Sequence, residues 1–467
     1  MALHSDLPTV TTLDRGLGPV EATTLVVGGI IGASIFLVPA DVAREVGSPG
    51  LLVVAWVLSG LLAVCGALCF AELSAAMPET GGTYVFLKRA FPGTPAAFLF
   101  GWMMCFTYAT GAIAVVAAMA SVYAGEVFGP FITPGSWGQR VVAAGLIALL
   151  TTVNYLGVRT GGKTQDALTV IKVGMLLGLI VMGLALGNGG LDQFTPFLPA
   201  ERNTVQAIGS LGPAMLLTLF AFSGAYFVTH VAGEVRDPAR TIPRAILLAM
   251  AVVLVLYVAI NLAYLRALSF DELQASERVA ADAAQAILGP VGASITALAV
   301  LWSAIGTLNA QLLSYPRIFF ALSRDGMFIP GLARIHPVYR TPGPAILLVG
   351  GLAVAYSLAG TYQQILNAVG FVIQLLLSLA VTAVIVLRVR EPDLPRPYRV
   401  WGYPVTPILF LAISGWYLVN LLLTRTLPSL AGLAVVIAGL PFYYYLRRQS
   451  ADAPARQSGR IDSGNPS

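Results

Sequence analysis

The sequence predicts an all-α polytopic membrane protein with twelve transmembrane helices. Of its 467 residues, 57% are hydrophobic and only 10% are charged, and the mean hydropathy is +0.81. Soluble domains carry about 25% charged residues, so much of this surface must face the lipid bilayer. Apolar stretches long enough to cross a bilayer recur at 19–40, 50–77, 95–124, 139–158, 166–186, 207–231, 243–265, 283–306, 344–360, 364–388, 405–424 and 428–446.

The distribution of basic residues predicts the orientation of these spans. If the N-terminus is cytoplasmic, the inner connections and tails hold 20 of the 27 lysines and arginines, the outer connections hold 6, and Lys172 lies within a span. The positive-inside rule then places both termini in the cytoplasm of a multi-pass protein of the cell (inner) membrane. Because the basic residues are scattered singly between spans, the net charge of +5 is a topology signal and predicts no nucleic-acid partner.

Two spans contain glycine-rich interruptions near their middle. The first break, Val26–Phe36, lies in span 1, and the second break, Phe220–Tyr226, lies in span 6. Lipid offers the backbone no hydrogen-bond partner, so non-helical backbone at this depth must line a cavity within the protein. Paired breaks at matching positions of two halves indicate the binding site of a secondary transporter.

The connections between spans support two five-helix repeats of opposite orientation, at 19–186 and 207–388. Residues 79–89 resemble a re-entrant segment on the inner side after span 2, and the amphipathic residues 269–284 occupy the corresponding outer position after span 7. Spans 11 and 12 occupy 405–446. Residues 1–18 form a cytoplasmic N-terminal segment, and the polar residues 447–467 are expected to form a disordered cytoplasmic tail.

Several stretches together resemble the amino acid–polyamine–organocation (APC) superfamily, and specifically its bacterial amino acid permeases related to L-type exchangers. The resemblance implies a LeuT-like fold, in which a five-plus-five inverted repeat with broken helices 1 and 6 is joined by two peripheral helices. The matching stretches follow the family order and cover nearly the whole chain: 29–36, 71–91, 154–172, 220–246, 309–330 and 390–407.

The breaks are expected to bind an amino acid zwitterion through bare peptide groups. The N–H groups of Ala33 and Ser34 begin the outer half of span 1, where the helix dipole favours a carboxylate. The family pattern, usually Gly-Ser-Gly, is Gly32-Ala33-Ser34 here, so the sequence does not fix the local backbone geometry. Close packing of helices through small residues is the alternative explanation of the break. Carbonyls freed on the other side of the breaks are expected to accept the ammonium: Ile30, Phe220, Ala221 and Ser223.

Gating and pocket size are predicted from residues of span 6. By resemblance, Phe220 closes over the substrate from the outside, although it could equally pack in the core or against lipid. Ala225 stands where L-type relatives often carry tryptophan, so the pocket is either larger or filled by Tyr226 or Trp302. Glu234 and Arg236, at the inner end, predict a gating salt bridge or ordinary topology charges.

Lys172 is the one basic residue in the interior of a span, since Arg140, Arg244 and Arg388 lie at span ends and are counted with the connections. An ionised lysine at the centre of a membrane helix costs about 2.5–3.5 kcal/mol, so it needs partners or must titrate. By resemblance it would occupy the cation position of sodium-coupled relatives, contacting the Gly29 carbonyl and Ser303 or Thr307 of span 8. It would act there as a fixed cation or as a proton carrier, unless it snorkels to the cytoplasm.

The expected function is secondary active transport of neutral amino acids by alternating access, as an exchanger or a proton symporter. No carboxylate lies at mid-depth in spans 3, 6, 8 and 10, which disfavours a permease for cationic amino acids or polyamines. An amino acid sensor or binding subunit is the other alternative. Isolated histidines near the membrane surfaces (His4, His230 and His336) argue against an enzyme, and no cofactor or metal is expected. All three cysteines lie within spans, so no covalent heavy-chain partner is expected.

Overall fold

The structure is a computed structural model that describes residues 13–128, 132–133, 135–199, 202–359, 362–424 and 426–458. Within these residues the regular structure is helical and no strand is present beyond one isolated bridge, between Leu17 and Val235. The α-helices are α1 (Pro19–Ile30), α2 (Val38–Val46), α3 (Pro49–Ala76), α4 (Thr83–Ala90), α5 (Ala96–Met103), α6 (Ala109–Phe128), α7 (Trp137–Tyr155), α8 (Val158–Leu186), α9 (Thr204–Ala221), α10 (Phe227–His230), α11 (Pro238–Ala267), α12 (Phe270–Ala275), α13 (Val279–Leu288), α14 (Pro290–Ser314), α15 (Pro316–Arg324), α16 (Gly343–Ala359), α17 (Tyr362–Arg390), α18 (Val405–Thr424) and α19 (Thr426–Ser458).

Nine of the described helical segments are long and apolar enough to cross a membrane. The chain is therefore a polytopic, all-helical membrane protein. Three predicted spans are not among the nine, each for a local reason. Span 1 is divided into α1 and α2, α16 is only 17 residues long, and α7 carries Gln139, Arg140 and Asn154 near its ends, which lowers its mean hydropathy.

The two predicted special connections are both helical. Residues 77–82 form a turn followed by α4, so the segment predicted as re-entrant is a short helix beneath the bundle. The amphipathic connection after α11 forms α12 and α13. Ser269 starts α12 with a capping box, because its hydroxyl accepts from the Glu272 N–H while the Glu272 carboxylate accepts from the Ser269 N–H.

The ends of the chain are described only in part. Residues 1–12 of the predicted cytoplasmic N-terminal segment and residues 459–467 of the predicted disordered tail lie outside the described residues. Helix α19 continues past the predicted end of span 12 as far as Ser458. The first part of the tail therefore differs from the prediction, because its alanines, arginines and glutamine favour continuation of a helix once it has formed.

Helix α1 occupies the centre of the bundle. It packs against α8, α11 and α14, and the inner fragment α10 contacts it as well. Its residues from Leu25 to Ile30 are all buried. The first break, which follows Ile30, is therefore enclosed by α8, α10, α11 and α14.

Candidate functional site

The first break interrupts the backbone hydrogen bonding of span 1. Helix α1 ends at Ile30, Ile31 and Gly32 adopt extended conformations, and Ala33–Phe36 form one turn of 3₁₀-helix before α2 begins. Small residues allow this arrangement, because a Cβ on Gly29 would lie 2.6 Å from the Phe227 ring and one on Gly32 would lie 3.0 Å from the Thr307 hydroxyl. The glycines thus let α10 and α14 approach the broken backbone closely.

The second break lies directly against the first. Helix α9 ends at Ala221, five turn residues follow, and α10 resumes at Phe227. Gly224 has φ +114°, and a Cβ there would sit 2.8 Å from the Gly29 carbonyl oxygen. This position therefore requires glycine both for its backbone conformation and for its contact with α1.

A tyrosine that sequence reasoning missed joins the two breaks. The Tyr257 hydroxyl lies 2.9 Å from the Ile30 carbonyl oxygen and 3.2 Å from the Ala221 carbonyl oxygen, in a fully buried position on α11. These are two of the carbonyls predicted to accept an ammonium. Each carbonyl oxygen has two lone pairs, so both retain an acceptor site. The available signal was a phenol near the middle of a span whose only other tyrosine, Tyr264, lies at its outer end.

Lys172 is fully buried and points into the bundle, which excludes snorkelling. Its ammonium donates to the carbonyls of Gly28 at 2.8 Å, Ile31 at 2.7 Å and Ser303 at 2.9 Å, and approaches the Thr307 hydroxyl at 3.3 Å. A Cβ on Gly306 would lie 2.8 Å from the ammonium, so this glycine on α14 makes room for it.

The two carbonyls of span 1 that accept hydrogen bonds from Lys172 lie on either side, in sequence, of the predicted partner Gly29. Ser303 and Thr307 are partners as the resemblance implied, but the ammonium bonds to Gly28 and Ile31 where Gly29 was expected. The reason is the position of the break. Gly28 O would normally accept from residue 32, which has left the helix, and the extended conformation of Ile31 turns its carbonyl toward α14.

The predicted carboxylate donors begin the 3₁₀ turn. Ala33 and Ser34 are buried, at 1% and 6% exposure, and the first N–H groups of a helix have no partner within it. They follow in the chain the carbonyls of Gly28 and Ile31 that Lys172 binds.

A cavity opens beside the second break. Its space between atoms totals about 960 Å³, including its open side. Phe220 and Ser223 contribute to its wall, whereas Ile30, Ala33, Ser34 and Ala221 are not among its lining residues. The other lining residues are Val38, Ala63, Gly66, Ala67, Phe70, Tyr108, Leu216, Leu217, Leu219, Phe222, Ala225, Tyr226, Gly370, Ile373, Gln374, Leu377, Phe410 and Tyr417.

The wall of this cavity near Ala225 is aromatic and neutral. Tyr226 forms part of it and its hydroxyl lies 3.1 Å from that of Tyr108, while its ring stacks on Phe70 at 5.4 Å between centroids. Trp302 is 38% exposed and does not reach the cavity. The small side chain of Ala225 therefore leaves the space open, and Tyr226 narrows it only from one side.

The inner end of span 6 carries a buried ion pair. Glu234 binds Arg317 through two bonds of 2.7 and 3.0 Å, and both side chains are fully buried. Arg236 does not take part. Its side chain donates to the Arg15 carbonyl and its N–H donates to the Leu17 carbonyl, so it fixes the N-terminal segment instead. Sequence reasoning considered a gating salt bridge with Arg236 and did not pair Glu234 with Arg317.

The described residues that line the cavity carry no charged side chain. Comparison with known proteins identifies the family of the chain. The amino acid permease family matches residues 17–440. The chain is 34% identical to the large neutral amino acids transporter small subunit 2 of Mus musculus over 433 residues, covering 92% of this chain and 81% of that protein.

Two further relatives have similar coverage. The serine/threonine exchanger SteT of Bacillus subtilis is 31% identical over 442 residues, covering 94% of this chain and 98% of that protein. The Asc-type amino acid transporter 1 of Homo sapiens is 31% identical over 433 residues, covering 92% and 82% respectively. The chain therefore belongs to the amino acid permease family of the APC superfamily.

Proposed function

We propose that this chain is a secondary active transporter that moves neutral amino acids across the cytoplasmic membrane by alternating access. The observation that carries the proposal is the contact between two broken membrane helices beside a cavity within the protein. Gly224 lies against the Gly29 carbonyl, and Tyr257 bridges Ile30 and Ala221. Non-helical backbone at membrane depth is tolerated only where it serves such a cavity. Family membership supports transport of amino acids as the task.

In this proposal the substrate binds by its two backbone charges. The carboxylate is held by the N–H groups of Ala33 and Ser34, where the dipole of the outer half-helix is favourable. The ammonium is held by free lone pairs on carbonyls of Ile30, Phe220, Ala221 and Ser223. Phe220, in the cavity wall, closes over the substrate from the outside.

The cavity wall supports a neutral substrate side chain. Its described polar groups are uncharged, namely Ser223, Tyr108, Tyr226, Tyr417 and Gln374, and no carboxylate is among the residues that line it. A cationic side chain would have to leave water without a partner charge, which is very costly. This favours neutral amino acids over cationic amino acids and polyamines.

Lys172 supports transport that does not depend on sodium. Its ammonium is surrounded by three carbonyls and a hydroxyl, which are ligands that also suit a small cation. We assign it as a fixed cation that joins α1 to α14. This assignment favours exchange over proton symport, because a lysine that keeps all its acceptors has no reason to release its proton in each cycle.

The proposed architecture has twelve spans, with 19–186 and 207–388 as inverted five-helix repeats, 405–446 as two peripheral spans, and both termini in the cytoplasm. Two features support it. The nine apolar helices, the divided span 1, α7 and α16 together make twelve segments. The two divided helices are also the first members of their repeats. Glu234 with Arg317 closes the inner side in this conformation.

The experiment is transport into liposomes by the purified chain. We expect uptake of labelled neutral amino acids that requires a neutral amino acid inside, with no uptake of lysine, arginine or putrescine. If an inward proton gradient drives uptake into empty liposomes, the chain is a proton symporter and the proposal of exchange is wrong. Tight binding of a neutral amino acid without any flux would overturn transport and indicate a sensor.

A further inference from the structure

His230 is a buried titratable group that the proposed transport cycle does not use. It ends α10 on the inner side of the second break, and its side chain is fully buried. The sequence placed this histidine near a membrane surface, and the structure adds that its side chain is enclosed by protein. Its ring packs against the rings of Tyr226 at 5.7 Å and Tyr315 at 6.3 Å between centroids.

The hydrogen bonds around His230 define which ring nitrogen carries the proton. Nδ1 lies 2.8 Å from the Ser314 hydroxyl, and that hydroxyl donates to the Phe227 carbonyl at 2.9 Å. A carbonyl only accepts, and serine has a single hydroxyl hydrogen. Nδ1 must therefore be the donor to Ser314. In the neutral ring this leaves Nε2 as a bare lone pair.

Nε2 is buried and has no hydrogen-bond partner among the described residues. Buried polar atoms in proteins nearly always find a partner. Three neighbours along α14 and α15 share this condition: Gln311 Oε1, Tyr315 hydroxyl and Arg317 Nη1. Gln311 lies one turn before Tyr315, and Arg317 lies two residues after it. We refer to His230 and these three residues as the polar strip; Arg317 joins it to Glu234, which binds the Nε and Nη2 atoms of the same guanidinium.

The turn after α3 covers this strip. Gly81 donates its N–H to the His230 carbonyl at 3.0 Å, and a Cβ on Gly82 would lie 2.6 Å from His230 Cδ2, the carbon bonded to Nε2. Both glycines have positive φ, at 118° and 50°. The backbone of this turn therefore seals the Nε2 edge, and moving the turn would open that edge to cytoplasmic water.

We propose that Nε2 of His230 is a proton-binding site that is closed in this conformation and fills from the cytoplasm when the inner side opens. The inference rests on the alternating-access function proposed above. In the open state, water reaches Nε2 and a proton can bind. That proton then opposes reclosure, because no described acceptor lies within hydrogen-bond distance of Nε2 in the closed conformation. Cytoplasmic acid should therefore favour the inward-open state.

The charges near His230 support this direction. The titratable and charged side chains on the elements packed around it are Tyr108, Tyr226, Tyr315, Tyr84 with Asp325, Lys88, and Glu234 with Arg317. Glu234 and Arg317 neutralise each other, as do Lys88 and Asp325. A protonated His230 in the closed state would therefore be an uncompensated buried cation.

The test measures the apparent affinity at the cytoplasmic face as pH changes. In inside-out vesicles exchanging a neutral amino acid, KM on the cytoplasmic side should fall at least threefold from pH 7.5 to 5.5, because the competent state becomes more populated. His230→Asn keeps a donor at the Nδ1 position and lacks Nε2, so its KM should change less than 1.5-fold. The matched control is His336→Asn, which removes a loop histidine and should behave like wild type.

A second measurement does not depend on transport. The chain has three histidines, so ¹⁵N imidazole spectra can be assigned by substitution. His230 should show the Nδ1–H tautomer with an unprotonated Nε2 at neutral pH. The opposite tautomer, or the same pH response in wild type and His230→Asn, would overturn the inference while leaving transport intact. Absence of exchange in wild type would instead overturn the proposed function. If His230→Asn does not fold, the tautomer of His230 measured in the wild-type chain still tests the inference.

Discussion

The two breaks are similar in sequence and are completed in different ways. At the first break the protein supplies its own cation, since the Lys172 ammonium donates hydrogen bonds to the carbonyls of Gly28 and Ile31. At the second break a neutral cavity reaches Ser223 and Ala225. The first break is therefore anchored on one side by the protein's own cation, whereas the second break faces a neutral cavity. In the proposed function both breaks bind the substrate, and only the first also holds a structural ammonium.

The largest expected effect comes from removing the fixed cation. Lys172→Ala would remove the charged donor of three buried carbonyls, where a hydrogen bond to a charged group is worth about 1.5–3 kcal/mol, and we expect amino acid exchange in liposomes to fall at least tenfold. Lys163→Ala is the matched control, because Lys163 lies exposed on the same helix and should change exchange less than twofold. If Lys172→Ala keeps the wild-type exchange rate and pH response, Lys172 is not a required fixed cation at the first break.

The second prediction concerns the cavity beside the second break. Ala225→Trp would fill the cavity beside the second break, so uptake of phenylalanine or leucine should fall about tenfold relative to uptake of alanine. The physical reason is steric, since even one methylene of misfit is worth about 1–3 kcal/mol in discrimination. Alanine uptake by the same variant is the internal control. Equal losses for small and large substrates would show that the cavity does not hold the side chain.

The smallest effect concerns the link between the breaks. Tyr257→Phe removes one hydroxyl shared by Ile30 and Ala221, a loss of about 1 kcal/mol, which corresponds to about a fivefold rise in substrate KM. Tyr264→Phe is the control, because that hydroxyl lies 3.4 Å from the Ile35 carbonyl, beyond the first break. If both variants raise KM equally, Tyr257 has no special role at the junction.

The sequence predicted the breaks because glycine clusters in the middle of apolar spans are visible without a structure. It predicted Lys172 as a buried cation for the same reason, since a charge within a span stands out. It could not identify Gly28 and Ile31 as partners, because these depend on the residue at which α1 ends. Tyr257 and the pairing of Glu234 with Arg317 also required tertiary contacts, which neither periodicity nor composition contains.

The central claim is that bare peptide groups at the two breaks recognise both charges of an amino acid. Competition for uptake of labelled leucine tests it most directly, using leucinamide, which lacks the carboxylate, and 4-methylpentanoate, which lacks the amine. We predict that unlabelled leucine and phenylalanine compete while each analogue competes at least a hundredfold more weakly. Competition by either analogue as strong as that by leucine would contradict recognition through both poles.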